Sequence, residues 1–342
     1  MLLYALLIAA LGADPGTPEN HIEGVVVNGT LGGAPVSGAE VVLRAGTDGA
    51  LRPIAQTVTD ESGRFHFYNL PIEPGVIYLP GANRHGVHYP GPRVRLDVAA
   101  PPVKLTVYDA VASPSPLVAD CHTIDVRMQA GVVEVTETLL VRNPTLTTYV
   151  GELDKKPLTT LALGIPADFE RVTFATEFFG RRFSVFDNRL VTDIPWLPGK
   201  YEVKFTYHLP AAGSPLTLER TLDLPSSIVR IRADAGENGH VTCNLPRVAA
   251  AADWPFAFES SGGTLAAGHP LKLAFGDLPA QWSVHAKWMA LTVLAGLIVG
   301  TATVRRFRKA KAGTRSPHSP ARASRRSPKS AARNLRRTRM AA

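Results

Sequence analysis

The sequence predicts an all-β fold in which two β-sandwich domains precede one transmembrane helix and a disordered basic tail. Short runs of Val, Phe, Leu and Thr alternate with polar residues at period two, for example over residues 64–68 and 201–207. This alternation buries one face of a sheet and leaves the other face in water. Turn residues recur about every ten positions, which is typical of sandwiches. A single long apolar stretch, residues 288–304, lies near the C-terminus.

Residues 1–13 are predicted to be a secretory signal peptide. An apolar run extends from Leu2 to Leu11, and the small residues Ala10 and Gly12 form an A-x-A-like cleavage pattern. The alternative is an uncleaved anchor, but this run is too short to span a bilayer. We therefore expect the domains that follow to be periplasmic or extracellular.

The first domain is predicted over residues 20–109. Gly33 supplies a turn that needs a positive φ angle. Residues 60–63, with the sequence Asp-Glu-Ser-Gly, are expected to form a hairpin turn. The strand after this turn would direct Phe65 and Phe67 into the core, because the two residues are two positions apart.

A set of turn residues and alternating apolar residues runs through the first domain: Gly24, Val26, Pro35, Val36, Gly38, Ala39, Val41, Leu43, Thr59, Asp60, Gly63, Phe65, Phe67 and Leu70. In these residues the domain resembles the carboxypeptidase regulatory-like domain family, whose fold is a prealbumin-like seven-stranded sandwich. The resemblance covers about a quarter of the chain. It implies an accessory module and no particular activity, because such domains are attached to many different proteins.

The second domain is predicted over residues 110–278. A hairpin is expected here, with its turn at residues 130–131 and its second strand ending at Asn143. Three features, the sequence Val-Tyr-Asp at residues 107–109 and the stretches 135–144 (VTETLLVRNP) and 198–210 (PGKYEVKFTYHLP), are similar to an uncharacterised β-sandwich region that follows regulatory-like domains in bacterial envelope proteins. That similarity implies no assigned chemistry.

Cys121 and Cys243 lie near the two ends of the second domain and are a candidate disulfide. An oxidising compartment would permit the bond. It would close a long loop, and the chain-entropy model gives such a loop roughly 4–5 kcal/mol of stabilisation. The alternative is a pair of unbonded, buried thiols.

Residues 286–304 are predicted to form a transmembrane helix. The uncharged part, residues 288–304, is about the shortest length that spans a bilayer. Trp282 and Trp288 fit an aromatic belt at the outer interface, and Arg305 and Arg306 fit the cytoplasmic side, where positive charge is retained. The alternative is a buried helix of a soluble domain.

The tail, residues 305–342, carries 14 Lys and Arg residues and no Asp or Glu. The whole chain has a net charge of +8, so the residues before the tail carry −6. A nucleic-acid-binding exported part is therefore not indicated. The tail itself is expected to be disordered and to contact anionic lipid, or nucleic acid as a second hypothesis. A third hypothesis is a solvated extension that only stops transfer.

No catalytic, cofactor-binding or metal-binding residue is predicted. A zinc carboxypeptidase would need an HxxE motif, and no His of the chain is followed by Glu three positions later. His85 and His88 form the only close His pair, and two solvated histidines are favoured over a metal site. Asn28 begins an Asn-Gly-Thr glycosylation sequon, which has meaning only in a eukaryote.

An aromatic group in the middle of the second domain is expected to fill its core, with a ligand platform as the alternative. The sequence thus favours a non-catalytic single-pass envelope protein whose sandwiches bind or scaffold a protein or carbohydrate partner. The alternatives are an accessory subunit of a membrane complex and a hydrolase with an unrecognised site in the second domain. The aromatic residues are Phe178, Phe179, Phe183, Phe186 and Trp196.

Overall fold

A computed structural model describes most of the chain between Asn20 and Gly300, and strands dominate it, so the all-β expectation is confirmed. The chain divides into two compact units, residues 1–281 and 282–342. The expected signal peptide, the tail and the four interface residues Trp282, Trp288, Arg305 and Arg306 lie outside the described residues. The described ranges are 20–47, 50–97, 101–129, 132–152, 157–175, 183–210, 216–236, 239–276 and 289–300.

The N-terminal strands form two sheets that face each other across one hydrophobic core. One sheet has the order β2-β1-β5, with β8 parallel to β1, and the other has the order β4-β3-β6-β7. Both sheets contribute buried side chains, such as Val26 from one and Leu43 from the other. The strands are β1 (Ile22–Asn28), β2 (Ala34–Pro35), β3 (Glu40–Gly46), β4 (Arg52–Val58), β5 (Arg64–Phe67), β6 (Ile77–Arg84), β7 (Val87–Pro90) and β8 (Val103–Val107).

The predicted orientation of β5 is confirmed, but the predicted hairpin before it is wrong. Phe65 and Phe67 are buried, while Arg64 is exposed. The Asp60 side chain accepts hydrogen bonds from the backbone N–H groups of Ser62 and Arg64, both at 2.8 Å. However, β4 pairs with β3 and β5 pairs with β1, so this turn carries the chain from one sheet to the other.

The remaining strands form a wide six-stranded sheet and three smaller sheets. The six-stranded sheet has the order β14-β17-β11-β10-β19-β21, and the smaller ones are β13-β16-β15, β18-β22-β20 and β9-β12. The strands are β9 (Ala110–Val111), β10 (Val118–Gln129), β11 (Val132–Asn143), β12 (Thr148–Tyr149), β13 (Leu161–Gly164), β14 (Arg171–Phe174), β15 (Ser184–Phe186), β16 (Arg189–Thr192), β17 (Gly199–Pro210), β18 (Leu216–Thr221), β19 (Ser226–Asp234), β20 (His240–Cys243), β21 (Phe256–Glu259) and β22 (Pro270–Gly276).

A second hydrophobic core lies between the six-stranded sheet and the two three-stranded sheets. Val135 and Phe205 reach it from the wide sheet, Leu190 from β16 and Leu273 from β22. The strands β10 and β11 pair antiparallel, from the pair Val118 and Arg142 to the pair Gln129 and Val132 next to the turn. This confirms the predicted hairpin pairing. Its turn, residues 130–131, lies outside the described residues.

Polar contacts join the two cores within the first unit. The Asn28 side chain is buried, and its Nδ2 donates to Asp109 Oδ1 at 2.9 Å. The Tyr89 hydroxyl donates to the Tyr108 carbonyl at 2.8 Å and lies 3.0 Å from Thr148 Oγ1. The Asn28 amide is therefore buried and hydrogen-bonded in the fold. A glycosylated Asn needs an exposed side chain, so the folded structure does not fit the use of this sequon.

The described part of the second unit, residues 289–300, is helical. Its apolar side chains are exposed, including Leu291, Val293, Leu294 and Leu297, each more than half accessible. Within the ranges that the structure describes, no helix has both the length and the apolar character needed to cross a membrane.

Candidate functional site

A cluster of charged and polar side chains lies inside the second core. Glu137, on β11, is fully buried, and His122, on the neighbouring strand β10, is also buried. Arg220 enters from β18 on the opposite sheet and is buried as well. We call these residues, together with Tyr207 and Asp223, the buried charge cluster.

Glu137 is the centre of the buried charge cluster. Its Oε1 accepts hydrogen bonds from the Tyr207 hydroxyl and from Arg220 Nε, both at 3.0 Å. Its Oε2 lies 2.8 Å from His122 Nε2 and accepts from Arg220 Nη2 at 3.2 Å. Both carboxylate oxygens are therefore saturated by the protein, which compensates for their removal from water.

The electrostatics of the cluster favour the charged forms of Glu137 and Arg220 and the neutral form of Tyr207. Burial would raise the pKa of Glu137, but the Arg220 charge and the His122 hydrogen bond outweigh burial and lower the pKa to about 2. Burial opposes the charge of Arg220 too, yet the two carboxylates beside it raise its pKa. Burial and the Glu137 charge raise the pKa of Tyr207, so this hydroxyl stays protonated. The cluster is thus a fixed ion pair over the physiological range.

Arg220 also links the cluster to the surface. Its Nη2 lies 2.8 Å from Asp223 Oδ2, and that carboxylate accepts a hydrogen bond from the Gly164 backbone N–H at 3.0 Å. The half-exposed Arg189 donates to Asp223 Oδ1 at 2.9 Å. The wide sheet and both three-stranded sheets are therefore connected by one chain of alternating charges.

Local sequence explains why these side chains point inward. Along β11 every second residue is buried, so Glu137 lies in phase with Val135 and Leu139. Arg220 is likewise in phase with Leu218 on β18. Sequence reasoning named none of these residues and therefore missed the cluster. The signal was present, because a charged residue in an apolar period-two stripe must point into the core.

The arrangement suits a structural role better than chemistry. A general acid or base must exchange a proton with a substrate near the working pH. Glu137 is held ionised and is inaccessible to solvent, and its partners occupy both oxygens. Among the residues that the structure describes, no group of three or more His, Cys, Asp or Glu side chains is placed to hold a metal ion.

The two cysteines are free thiols in the structure. Cys121 lies on β10, where its Sγ is 3.6 Å from Thr123 Oγ1. Cys243 lies at the end of β20, and its Sγ is 3.7 Å from Asn244 Oδ1. The structure does not join them, and burial raises the pKa of the Cys243 thiol.

The aromatic group divides between core and surface. Trp196 is buried, and Phe183 stacks on Phe174 at 5.1 Å against the core. Phe186 is 56% exposed on the edge strand β15, so the expectation that it fills the core is wrong. Residues 178 and 179 lie outside the described residues.

The histidine pair is separated by the local turn. His85 is exposed and has a positive φ of 50°, while His88 is half-buried on β7. The expectation of two solvated histidines is wrong for His88, because its ring nitrogens lie 2.7 Å from Asn83 Oδ1 and 2.8 Å from Arg44 Nη1.

Comparison with known proteins adds no family to these observations. No protein-family model matches the sequence, and no curated protein matches it.

Proposed function

We propose that the protein is a non-catalytic, single-pass envelope protein whose exported β-sandwiches bind or scaffold a partner at the outer face of a membrane. The observation that carries the proposal is the exposed apolar surface of the helix over residues 289–300. In this proposal the helix extends to residues 286–304 and is the membrane anchor.

The exposure of the helix supports a lipid environment. Leu291, Leu294 and Leu297 are each more than half accessible, and Val293 on another side of the helix is too. An amphipathic helix of a soluble domain has a charged or polar face, whereas residues 289–300 contain no charged residue and carry apolar side chains all round, which suits a bilayer. The uncharged sequence continues to Val304, where the basic tail begins.

The charge distribution supports one orientation. The 14 Lys and Arg residues after Val304 would stay on the cytoplasmic side, and the mildly acidic remainder would lie outside. In the cytoplasm the tail would contact anionic lipid, at about 1 kcal/mol for each basic residue near the surface. Nucleic acid is the second candidate partner for the tail.

The buried charge cluster supports a non-catalytic role for the second sandwich. Its two carboxylates, Glu137 and Asp223, are both paired with Arg220, and Glu137 is buried with it, so they are not placed as an acid and base beside a substrate. The first sandwich would act as an accessory module of the carboxypeptidase regulatory-like type. Its buried Val26, Val41 and Phe65 are consistent with that pattern.

Topology mapping tests the proposal. A reporter enzyme that is active only in the cytoplasm, fused after Ala342, should be active, and the same reporter fused after Gly276 should not be. The protein should remain with membranes during alkaline carbonate extraction, and a variant ending at Gly276 should not. A C-terminal fusion that is active only outside the cytoplasm would contradict the orientation, and release by carbonate would contradict the anchor.

A further inference from the structure

The outer face of the sheet β4-β3-β6-β7 carries a continuous hydrogen-bonded chain of five planar side chains. Gln56 Nε2 donates to Glu40 Oε1 at 2.5 Å, and Asn83 Nδ2 donates to Glu40 Oε2 at 2.8 Å. Asn83 Oδ1 then lies 2.7 Å from His88 Nδ1, and His88 Nε2 lies 2.8 Å from Arg44 Nη1. All four strands of the sheet contribute to this chain, which we call the outer polar chain.

The outer polar chain has a defined protonation pattern. Arg44 can only donate, so His88 Nε2 accepts, and the N–H on Nδ1 donates to Asn83. His88 is therefore neutral in this arrangement. Burial and the nearby Arg44 charge lower the pKa of His88, although Glu40 opposes them. The chain then contains one carboxylate and one guanidinium, which leaves it without net charge.

The backbone beneath the chain is shaped to receive the imidazole. A Cβ atom at Gly81 would lie 2.4 Å from His88 Cε1, so only glycine lets the ring lie across β6 at this point. Because both ring nitrogens are held, the ring cannot rotate without breaking a hydrogen bond. The orientation of these side chains is thus set before any ligand arrives, which reduces the entropic cost of binding.

Exposed apolar side chains lie beside the chain on the same face. Ile54 and Val58 flank Gln56 on β4 and are 48% and 59% exposed. Glu40 pairs with Val58 in the register between β3 and β4, so the apolar and polar groups are adjacent. A surface that combines aligned donors and acceptors with a C–H surface, and has no net charge, matches a sugar ring and its hydroxyl groups.

We propose that this face, formed by the outer polar chain with Ile54 and Val58, binds a neutral oligosaccharide. Carboxylate and amide oxygens would accept from sugar hydroxyls, while Arg44 and the amide nitrogens would donate to them. A charged glycan fits less well, because the face offers it no excess of opposite charge. The inference deepens the proposed function, since it names carbohydrate as the partner class and places it on the first sandwich.

The test is calorimetric titration of the full-length protein in nanodiscs of phosphatidylcholine. A maltoside detergent is avoided, because its head group is itself a neutral sugar. The probes are cellohexaose, maltohexaose and chitohexaose. Glu40→Gln and His88→Ala should each weaken binding of the recognised hexasaccharide about tenfold or more. Glu40→Gln removes a carboxylate that accepts from the sugar, whereas His88→Ala releases Asn83 and Arg44 from the positions in which His88 holds them.

Matched controls lie on the opposite sheet of the same sandwich. Glu23 and His66 form a pair at 3.6 Å on β1 and β5, so Glu23→Gln and His66→Ala change the same residue types away from the face. Both should bind as the unchanged protein does. Because Glu40→Gln preserves shape, it keeps the test valid if His88→Ala fails to fold.

Three results would overturn the inference. They are no heat with any of the three hexasaccharides, equal weakening by the controls, and crosslinking of this face to a partner protein in place of a sugar. None of these results would bear on the topology experiments above, so failure of the sugar site and failure of the membrane-anchor proposal are distinguishable.

Discussion

Removing the cation of the buried charge cluster should strongly destabilise the second sandwich. In Arg220→Met the methionine fills much of the space, but Glu137 keeps its buried charge and loses its ion pair. Removal of one partner of a buried pair costs about 3–5 kcal/mol. The pKa of Glu137, about 2 against an ordinary 4.5, leads independently to about 3 kcal/mol of stabilisation at neutral pH.

Urea unfolding followed by tryptophan fluorescence measures this loss. The first sandwich contains no tryptophan, whereas Trp196 and Trp254 lie among the strands of the second one. The matched control is Arg230→Met, because Arg230 pairs with Glu259 at 2.6 Å but is 47% exposed. Such a surface pair contributes only about 0–1 kcal/mol.

A second variant and a change of pH separate charge from packing. Glu137→Gln combined with Arg220→Met leaves no buried Glu137 charge and should recover most of the lost stability. In Arg220→Met alone, burial should raise the pKa of Glu137 above its unfolded value. Stability should therefore increase as the pH falls through that raised pKa. Equal small losses in Arg220→Met and Arg230→Met would refute the assignment of the cluster as an ion pair that stabilises the core.

Three further outcomes are expected. Phe65→Ala should cost about 3–5 kcal/mol by thermal unfolding, whereas Phe186→Ala should cost less than about 0.5 kcal/mol because that side chain is exposed. The first sandwich should lose stability as the pH falls from about 6.5 through the lowered pKa of His88, since the unfolded chain then binds the extra proton, and His88→Asn should reduce this dependence in circular dichroism melts. Truncation after Arg308 should leave unfolding of both sandwiches unchanged but weaken salt-dependent binding to anionic vesicles in co-sedimentation.

Period-two alternation was enough to place individual strands. The alternation over residues 201–207 lies within β17, and the alternation over residues 64–68 contains β5. The burial of Phe65 and Phe67 also follows from alternation alone, because a strand has only two faces. What alternation specifies is the direction of each side chain, and those directions agree with the structure.

The local sequence pattern did not predict which strands pair with each other. Residues 60–63 have the composition of a hairpin turn, yet the strands on either side belong to different sheets. A tight turn fixes only its own hydrogen bonds, such as that from Gly63 N–H to the Asp60 carbonyl at 2.9 Å. Which strand β5 joins is decided by the packing of Phe65 and Phe67 against the rest of the core, which no short window contains.

The buried charge cluster and the outer polar chain show how similar residue types are buried in a core in one sandwich and lie on the outer face of a sheet in the other. Glu137 lies on the core-facing side of β11, and the next residue, Thr138, lies on the other side. Glu40 lies on the outward-facing side of β3. A one-residue slip of β18 would turn Arg220 to the surface and leave Glu137 unpaired in the core. The ion pair therefore penalises wrong alignments of the opposed sheets more strongly than an apolar contact would. We infer that its principal contribution is to select one packing of the second sandwich, and a single packing is what the proposed binding or scaffolding role would require.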